Sequence, residues 1–374
     1  MKLLIKNILL YFNLFDKFKS ILEVIKTKFE VFKYTRIYPL FSWSGFLSSL
    51  YYTLISTCFR RELKAVMQGT TKFHNDKKDK SSAEFFLRHN IHALEKGLCF
   101  RPLRKVFAIG YIKQTTEIYK SYTQYNVTLD EDEMNQYKWF TDILNKYFSV
   151  TESHPEIDTA RKIFDSVDSN FLDKVPLSIP YKRKFGVKSS ISYDEFLKLA
   201  KQRRSVRWFE QKSVPRELID KALLAARLSP TACNRQPIKY RIFDGTDPSL
   251  LRKIVKLPMG TAGFDKNIPA MAIVVGTIKA YRGERDKHAI YIDGSLSAMS
   301  FLFALETLGL SSVICNWSDL EPREVAMQKA LKLEYYERPI MTIAFGYPDM
   351  DSHVAFSGRR KLDDYREYNN SSSQ

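Results

Sequence analysis

From residue 290 to 308 the chain spells a long helix that is apolar on nearly every side, interrupted mainly by the small residues Gly294, Ser295, Ser297, Ala298 and Ser300. Such a helix has no polar stripe to turn towards water, so it must be buried. Its small residues let a second backbone approach closely, and a twin copy of the same helix is the partner we expect. Around it, short apolar runs at 240–243, 270–276, 312–315 and 340–345 read as strands. Ser192 with Glu195 three residues on forms a capping box that opens a helix over Phe196, Leu197, Leu199 and Ala200. Pro215 sits at a favoured first-turn position for a further helix over Leu218, Ile219, Ala222, Leu223 and Ala226. Helices and strands alternate, so the second half of the chain is expected to be α+β.

The first half has a different character. Of the 59 Lys+Arg and 42 Asp+Glu in 374 residues, residues 1–113 hold 21 and 8, and so carry +13 of the net +17. A basic leading third favours anionic partners. No zinc-finger or RRM signature accompanies the charge, so we expect a membrane surface and no nucleic acid. Leu4, Ile8, Tyr11, Phe15, Phe18, Leu22, Ile25, Phe29 and Phe32 recur at steps of four and three, predicting an amphipathic helix over the first 33 residues. Lysines share that helix, as they do in interfacial membrane helices, although packing against the rest of the chain or a partner subunit produces the same stripe. Between Arg36 and Arg60 lie 23 uncharged residues, long enough to cross a bilayer. Seven are Ser or Thr, which favours a membrane-dipping or buried helical segment over a span. Past Cys58 the chain turns polar, and 72–80 reads as a loop.

At 84–104, Leu87, Ile91, Leu94 and Leu98 make a helical stripe that ends at Gly97 and Pro102. His89, His92 and Glu95 recur on a neighbouring face, but three residues on one helix are an incomplete metal site and we assign none. Two further helices are predicted near 105–125 and 131–148, and 166–190, with Pro176 and Pro180, reads as a connector. The four cysteines, Cys58, Cys99, Cys233 and Cys315, are too dispersed for a zinc site or a disulfide framework, which points to a reducing, cytoplasmic setting.

Phosphate-loop and dinucleotide fingerprints are absent, as are the HExxH and GxSxG motifs. Two segments remain. In Gln202-Arg203-Arg204-Ser205-Val206-Arg207-Trp208-Phe209, three guanidiniums and a hydroxyl fall within five residues and offer forked donors to a phosphate; alone, the run also reads as a solvated basic face. Some 25 residues on, Leu228-Ser229-Pro230-Thr231-Ala232-Cys233-Asn234-Arg235-Gln236-Pro237 describes a tight loop with exposed amides. Cys233, Cys315 and His288 are read as structural.

Together these segments resemble the nitroreductase family of FMN-dependent flavoproteins, over about residues 192–368. The family's RRSxR-type motif corresponds to Arg203, Ser205 and Arg207, and its Ser-Pro…Asn…Gln-Pro loop to Ser229 through Pro237. Its central dimer helix corresponds to 290–308, the turn after it to Gly309-Leu310-Ser311, and its late strand to Ala344-Phe345-Gly346-Tyr347-Pro348. The resemblance implies an α+β fold with a central mixed sheet flanked by helices, a homodimer through the 290–308 helix, FMN as cofactor, and NADH or NADPH as hydride donor. It further implies that Arg203, Arg204, Ser205 and Arg207 hold the FMN phosphate and ribityl chain, with Arg359 and Arg360 closing on the phosphate. Asn234 and Gln236, beside Pro230, Thr231 and Ala232, would reach the flavin from the partner subunit. Ile314, Cys315 and Asn316 would lie along the ring's N5 edge. Where many relatives carry an acidic residue and a glycine, this chain has Asn316 and Trp317, which bears on nicotinamide docking and substrate stacking. The family chemistry belongs to the cofactor, so no catalytic side chain is named.

The stretch 86–97 is similar to N-terminal extensions of nitroreductase-like proteins from bacterial surface-polysaccharide loci. The reading is thus a helical segment at 1–60 in contact with the inner membrane surface, a helical domain at 61–165, a linker at 166–190 and an FMN-binding domain at 191–370. The expected activity is hydride transfer from NAD(P)H to a small-molecule acceptor, an intermediate of surface-polysaccharide biosynthesis. Alternatives are an oxygen-using flavin oxidase or dehydrogenase, and a non-catalytic membrane-associated scaffold with a degenerate flavin fold.

Overall fold

A computed structural model describes residues 2–75, 79–124, 130–167 and 177–369, with side chains from Lys17 onward. Pro176 and the side chains of Leu4, Ile8, Tyr11 and Phe15 lie outside the described residues. The chain divides into two compact units, Met1–Leu63 and Lys64–Gln374.

In the first unit, α1 (Lys2–Phe32) passes through a π-helical turn (Lys33–Ile37) into α2 (Tyr38–Ser42), and α3 (Gly45–Leu54) follows a break at Trp43 and Ser44. Phe18, Leu22, Ile25, Phe29 and Phe32, the described part of the predicted stripe, are all at least half exposed. α4 (Arg60–Asn75) begins here and continues into the second unit. Its last turn, 72–75, occupies ground read as polar loop, while 76–78 of that loop lie outside the described residues: Ala65, Val66 and Phe73 are buried on one face of the helix, and the polarity belongs to the other.

In the second unit, α5 (Lys80–Leu98), α6 (Ile112–Thr123), α7 (Glu131–Val150) and α8 (Pro155–Asp165) share one core around Leu87, Ile91, Leu94, Tyr119, Phe140 and Tyr147. Each start has a local cause. The Asp79 carboxylate accepts Ser82 N at the head of α5, and Asp130 accepts Glu133 N at 2.8 Å at the head of α7. α8 was not read from the sequence, because Pro155 and the imidazole cap of His154 give only a faint start signal.

The capping box is present at α9 (Tyr193–Gln202), and α10 (Arg216–Arg227) follows with Pro215 as its cap residue. Then come β1 (Ile238–Phe243), α11 (Pro248–Ile254), β2 (Ala270–Thr277), α12 (Ala289–Thr307), β3 (Ser311–Cys315), α13 (Glu321–Leu331) and β4 (Glu337–Gly346). The sheet has the order β1-β2-β4-β3, and its named strands are antiparallel throughout. Among the described residues, the parallel component of the expected mixed sheet is a single bridge, Ser205 to Ser312.

Strand alternation sorts β2 into two cores. Met271, Ile273 and Val275 meet α11 and α13, while Ala270, Ala272 and Val274 meet α10 and α12. The alanine side lets α12 lie close to the sheet. A Cβ at Gly294 would fall 2.7 Å from Ile340 Cδ1, and one at Gly276 would fall 2.8 Å from Ile290 Cβ. By length and composition, the helix that could cross a membrane among the described residues is Glu284–Thr307, and half of it is buried in this core.

Candidate functional site

The arginine segment is built at the β3 edge of the sheet. Arg203 N closes α9 on Leu199 O, and the chain then runs extended, with Val206 N donating to Ser312 O at 3.1 Å. Val206 goes into the core, while Arg203, Arg204 and Ser205 are half-buried and Arg207 is exposed. Arg204 Nη1 donates to Phe356 O at 3.2 Å and Arg207 Nη1 to Ser205 O at 3.4 Å. Among the described residues no carboxylate forms an ion pair with Arg203, Arg204 or Arg207. Unmatched guanidiniums with a hydroxyl between them suit a phosphate dianion, so this donor set fits the phosphate end of FMN.

β3 carries the neighbouring residues. Ile314 and Asn316 are exposed at its end and Cys315 is buried between them. Burial pushes the Cys315 thiol up to about 11, against the pull of the Ala344 amide and the nearby Arg207 charge. Trp317 is not a stacking surface: it is buried, and its indole Nε1 donates to Glu324 Oε1 at 2.7 Å, beside the buried Arg338. The segment from 349 to 369 passes Arg204, and a cleft of ≈ 430 Å³ lies between Arg204, Ser311, Asp349 and Val354. On that segment Arg359 bonds Ser357 O at 2.5 Å and Arg360 lies 3.9 Å from Asp364; both are exposed.

The loop from Ser229 to Pro237 stands elsewhere. Cys233, Asn234 and Gln236 all have positive φ (52°, 51° and 53°), a conformation that costs roughly 1 kcal/mol or more at each non-glycine residue and persists only where surroundings enforce it. Asp293 of α12 supplies the main clamp, accepting Ala232 N at 3.1 Å and the Tyr281 hydroxyl at 3.0 Å. Burial raises the pKa of that carboxyl, and the two donors work against the rise. Arg235, buried, lays its guanidinium 5.0 Å from the centre of the Tyr281 ring. Thr231 Oγ1 accepts Gln236 N, and Gln236 Nε2 donates to Asn234 Oδ1, both at 3.0 Å. Pro230 and Gln236 are left exposed, Thr231, Ala232 and Asn234 half-exposed.

α5 packs against this loop. A cavity of ≈ 420 Å³ lies between Arg88 and Trp139 of the helical region and Arg227, Asn234 and Gln236. His89 faces the same cluster. Burial lowers its pKa in spite of a hydrogen bond with Asn90, and the charges of Arg235, Arg282 and Lys96 lower it further. His92 pairs with Glu95 at 3.2 Å on its own helix. Asp293, Tyr281 and Arg235 were not singled out from the sequence; the one signal available was an acid inside an otherwise apolar helix.

One chain does not bring the two halves together. The loop joins the β1 edge of a β1-β2-β4-β3 sheet and the arginine segment bridges to β3, so three strand spacings, about 14 Å, separate them. Along α12, Asp293 holds the loop while Glu306 meets Gln202, a rise of about 20 Å.

Residues 200–262 and 258–347 match the sequence model of the nitroreductase family. That stretch, under half of the chain, is what resembles the family, and its strands and helices form an α+β layer. A putative NADH dehydrogenase/NAD(P)H nitroreductase of Methanothermobacter thermautotrophicus is 26% identical over 163 residues, 43% of this chain and 82% of that protein. Iodotyrosine deiodinase of Nematostella vectensis is 23% identical over 222 residues, 52% of this chain and 79% of that one. A solved putative nitroreductase in complex with FMN from Desulfovibrio desulfuricans superposes with a TM-score of 0.40 at 20% identity, over 47% of this chain and 96% of its own.

Proposed function

We propose that the protein is an FMN-dependent oxidoreductase that works as a homodimer and takes hydride from NADH or NADPH. The observation that carries this is the division of the candidate site. Unpaired guanidiniums stand at one end of α12, and a strained, clamped amide loop stands at the other. Between them an apolar stripe of Ile292, Leu296 and Met299 is exposed, at 52%, 44% and 37%. An antiparallel pairing of two α12 helices buries that stripe and sets the loop of each chain against the arginines of the other. FMN, when bound, supplies hydride transfer at its ring. Arg203, Arg204, Ser205 and Arg207 would hold its phosphate, and Arg359 and Arg360 would screen it from above. Asn234 and Gln236 of the second copy, with Ile314 to Asn316 of the first, would face the ring.

The cavity beside Asn234 would take the acceptor. The likeness of 86–97 to chains from surface-polysaccharide loci is the sole pointer to its nature, and on that ground we propose a glycan-pathway intermediate. Residues 1–60, basic and apolar, would hold the cytoplasmic protein at the inner membrane surface.

The test is the visible spectrum of the purified protein, with the released cofactor identified by mass. About one FMN per chain, reduced on mixing with NADH or NADPH, supports the reading. Protein that is colourless and cannot be reconstituted with FMN overturns it in favour of a scaffold. Flavin that reacts with oxygen in the presence of an organic substrate but not with NAD(P)H makes it an oxidase.

A further inference from the structure

We propose that residues 37–59 enter one leaflet of an anionic bilayer as a hairpin and leave on the side they entered. The inference rests on the reading that residues 1–60 meet a membrane, and it fixes how. No charge lies between Arg36 and Arg60, and as one straight helix those 23 residues would span about 35 Å, enough to cross. The structure breaks them. Ser44 is extended (φ −139°, ψ 134°) and its hydroxyl caps Leu47 N, so one helix stops and another starts. α3 then folds back on α2. Ser48 Oγ donates to Phe41 O at 2.8 Å, and the Tyr51 ring, 4% exposed, packs 5.5 Å from Tyr38 and 5.2 Å from Phe41. The ten residues of α3 rise about 15 Å, the depth of a single leaflet.

The two ends of the hairpin differ in the way a leaflet requires. At the tip, Leu40, Trp43 and Phe46 are 67%, 80% and 75% exposed. At the base, Lys33 and Arg36 precede the segment and Arg60 follows it. Lys33 Nζ lies 5.3 Å over the Tyr38 ring, and Arg60 Nη2 donates to Thr53 O at 3.3 Å. Cations at the base and apolar side chains at the tip match anionic headgroups over hydrocarbon. Three of the seven hydroxyls that counted against the membrane are satisfied internally, since Ser42, Ser48 and Ser49 donate to the carbonyls of Pro39, Phe41 and Gly45.

The experiment adds the full-length protein to preformed vesicles of phosphatidylcholine with or without phosphatidylglycerol. We expect flotation with the anionic vesicles and its loss in a Leu40→Ser, Trp43→Ser, Phe46→Ser variant of unchanged circular dichroism. Acyl-chain-brominated lipid should quench fluorescence in the parent and not in Trp43→Phe, and trypsin added outside should cut on both sides of the lysine- and arginine-free segment 37–59 and leave nothing of residues 1–33 protected. No flotation on either vesicle defeats the membrane reading itself. Undiminished flotation of the triple variant leaves that reading standing on α1 and overturns the hairpin. A protected fragment holding residues 1–33 means a span and also overturns it. So does tip-dependent self-association in lipid-free buffer with no vesicle binding.

Discussion

Asp293 and Arg207 separate two kinds of work at single residues. Asp293 holds a loop in a backbone shape that its own residues resist. Asp293→Ala leaves the Ala232 amide and the Tyr281 hydroxyl without their acceptor, a loss of about 1–3 kcal/mol that a urea melt would register. Flavin content should fall with it, because Asn234 and Gln236 lose their placement. Arg207 is exposed and holds nothing but a weak contact to Ser205 O. Arg207→Ala should therefore move stability by less than about 0.5 kcal/mol and still lower FMN occupancy several-fold, as read from the visible to ultraviolet absorbance ratio. Unchanged occupancy in that variant would count against the phosphate assignment.

Between elements, one ion pair ties α5 to the turn after β2. Lys279 Nζ lies 2.8 Å from Asp79 and 2.6 Å from Ser81 Oγ. Burial alone would raise the Asp79 carboxyl, but the hydrogen bonds from Lys279 and Ser81 override it and hold the pKa at about 2, below its usual 3.8. A depressed carboxyl contributes stability above its unfolded value and loses it as pH falls through the folded one. Lys279→Met should thus be less stable than the parent at pH 7, by about 1 kcal/mol after solvent screening of the half-exposed Asp79. That gap should close between pH 4 and pH 2, as paired urea midpoints would show. The elements themselves were largely legible in the sequence: α5, α7, α9, α12 and all four strands follow from periodicity and caps. Where local signals were mixed, reading stopped short. α4 hides its buried Ala65, Val66 and Phe73 among lysines and glutamate, and α13 opens on Glu321-Pro322 with no apolar stripe. Gly294 was read as small for the sake of a twin helix, yet it faces Ile340 of its own sheet. A helix apolar all round does not say which face meets which neighbour. Likewise the motifs named the arginine and amide segments, but their distance apart depends on strand order, which no local pattern encodes.

For the whole molecule, the exposed Ile292, Leu296 and Met299 set an oligomer-dependent outcome. Leu296→Arg should give monomer by light scattering and lose FMN together with it, whereas a monomeric variant that keeps full flavin would show that one chain suffices. Because loop and arginines lie at opposite ends of α12, two different defects need not be equally fatal in company. Chains carrying Arg203→Ala with Arg207→Ala, and chains carrying Asn234→Ala with Gln236→Ala, should each be inactive alone. Unfolded and refolded together in equal amounts, half of their dimers pair one defect with the other. Each such dimer collects both lesions in one pocket and leaves its second pocket intact, so about a quarter of parental activity should return. In a cell holding two alleles the proposed pairing would let damaged copies rescue each other, and would let a single damaged copy spoil one pocket of every dimer it joined.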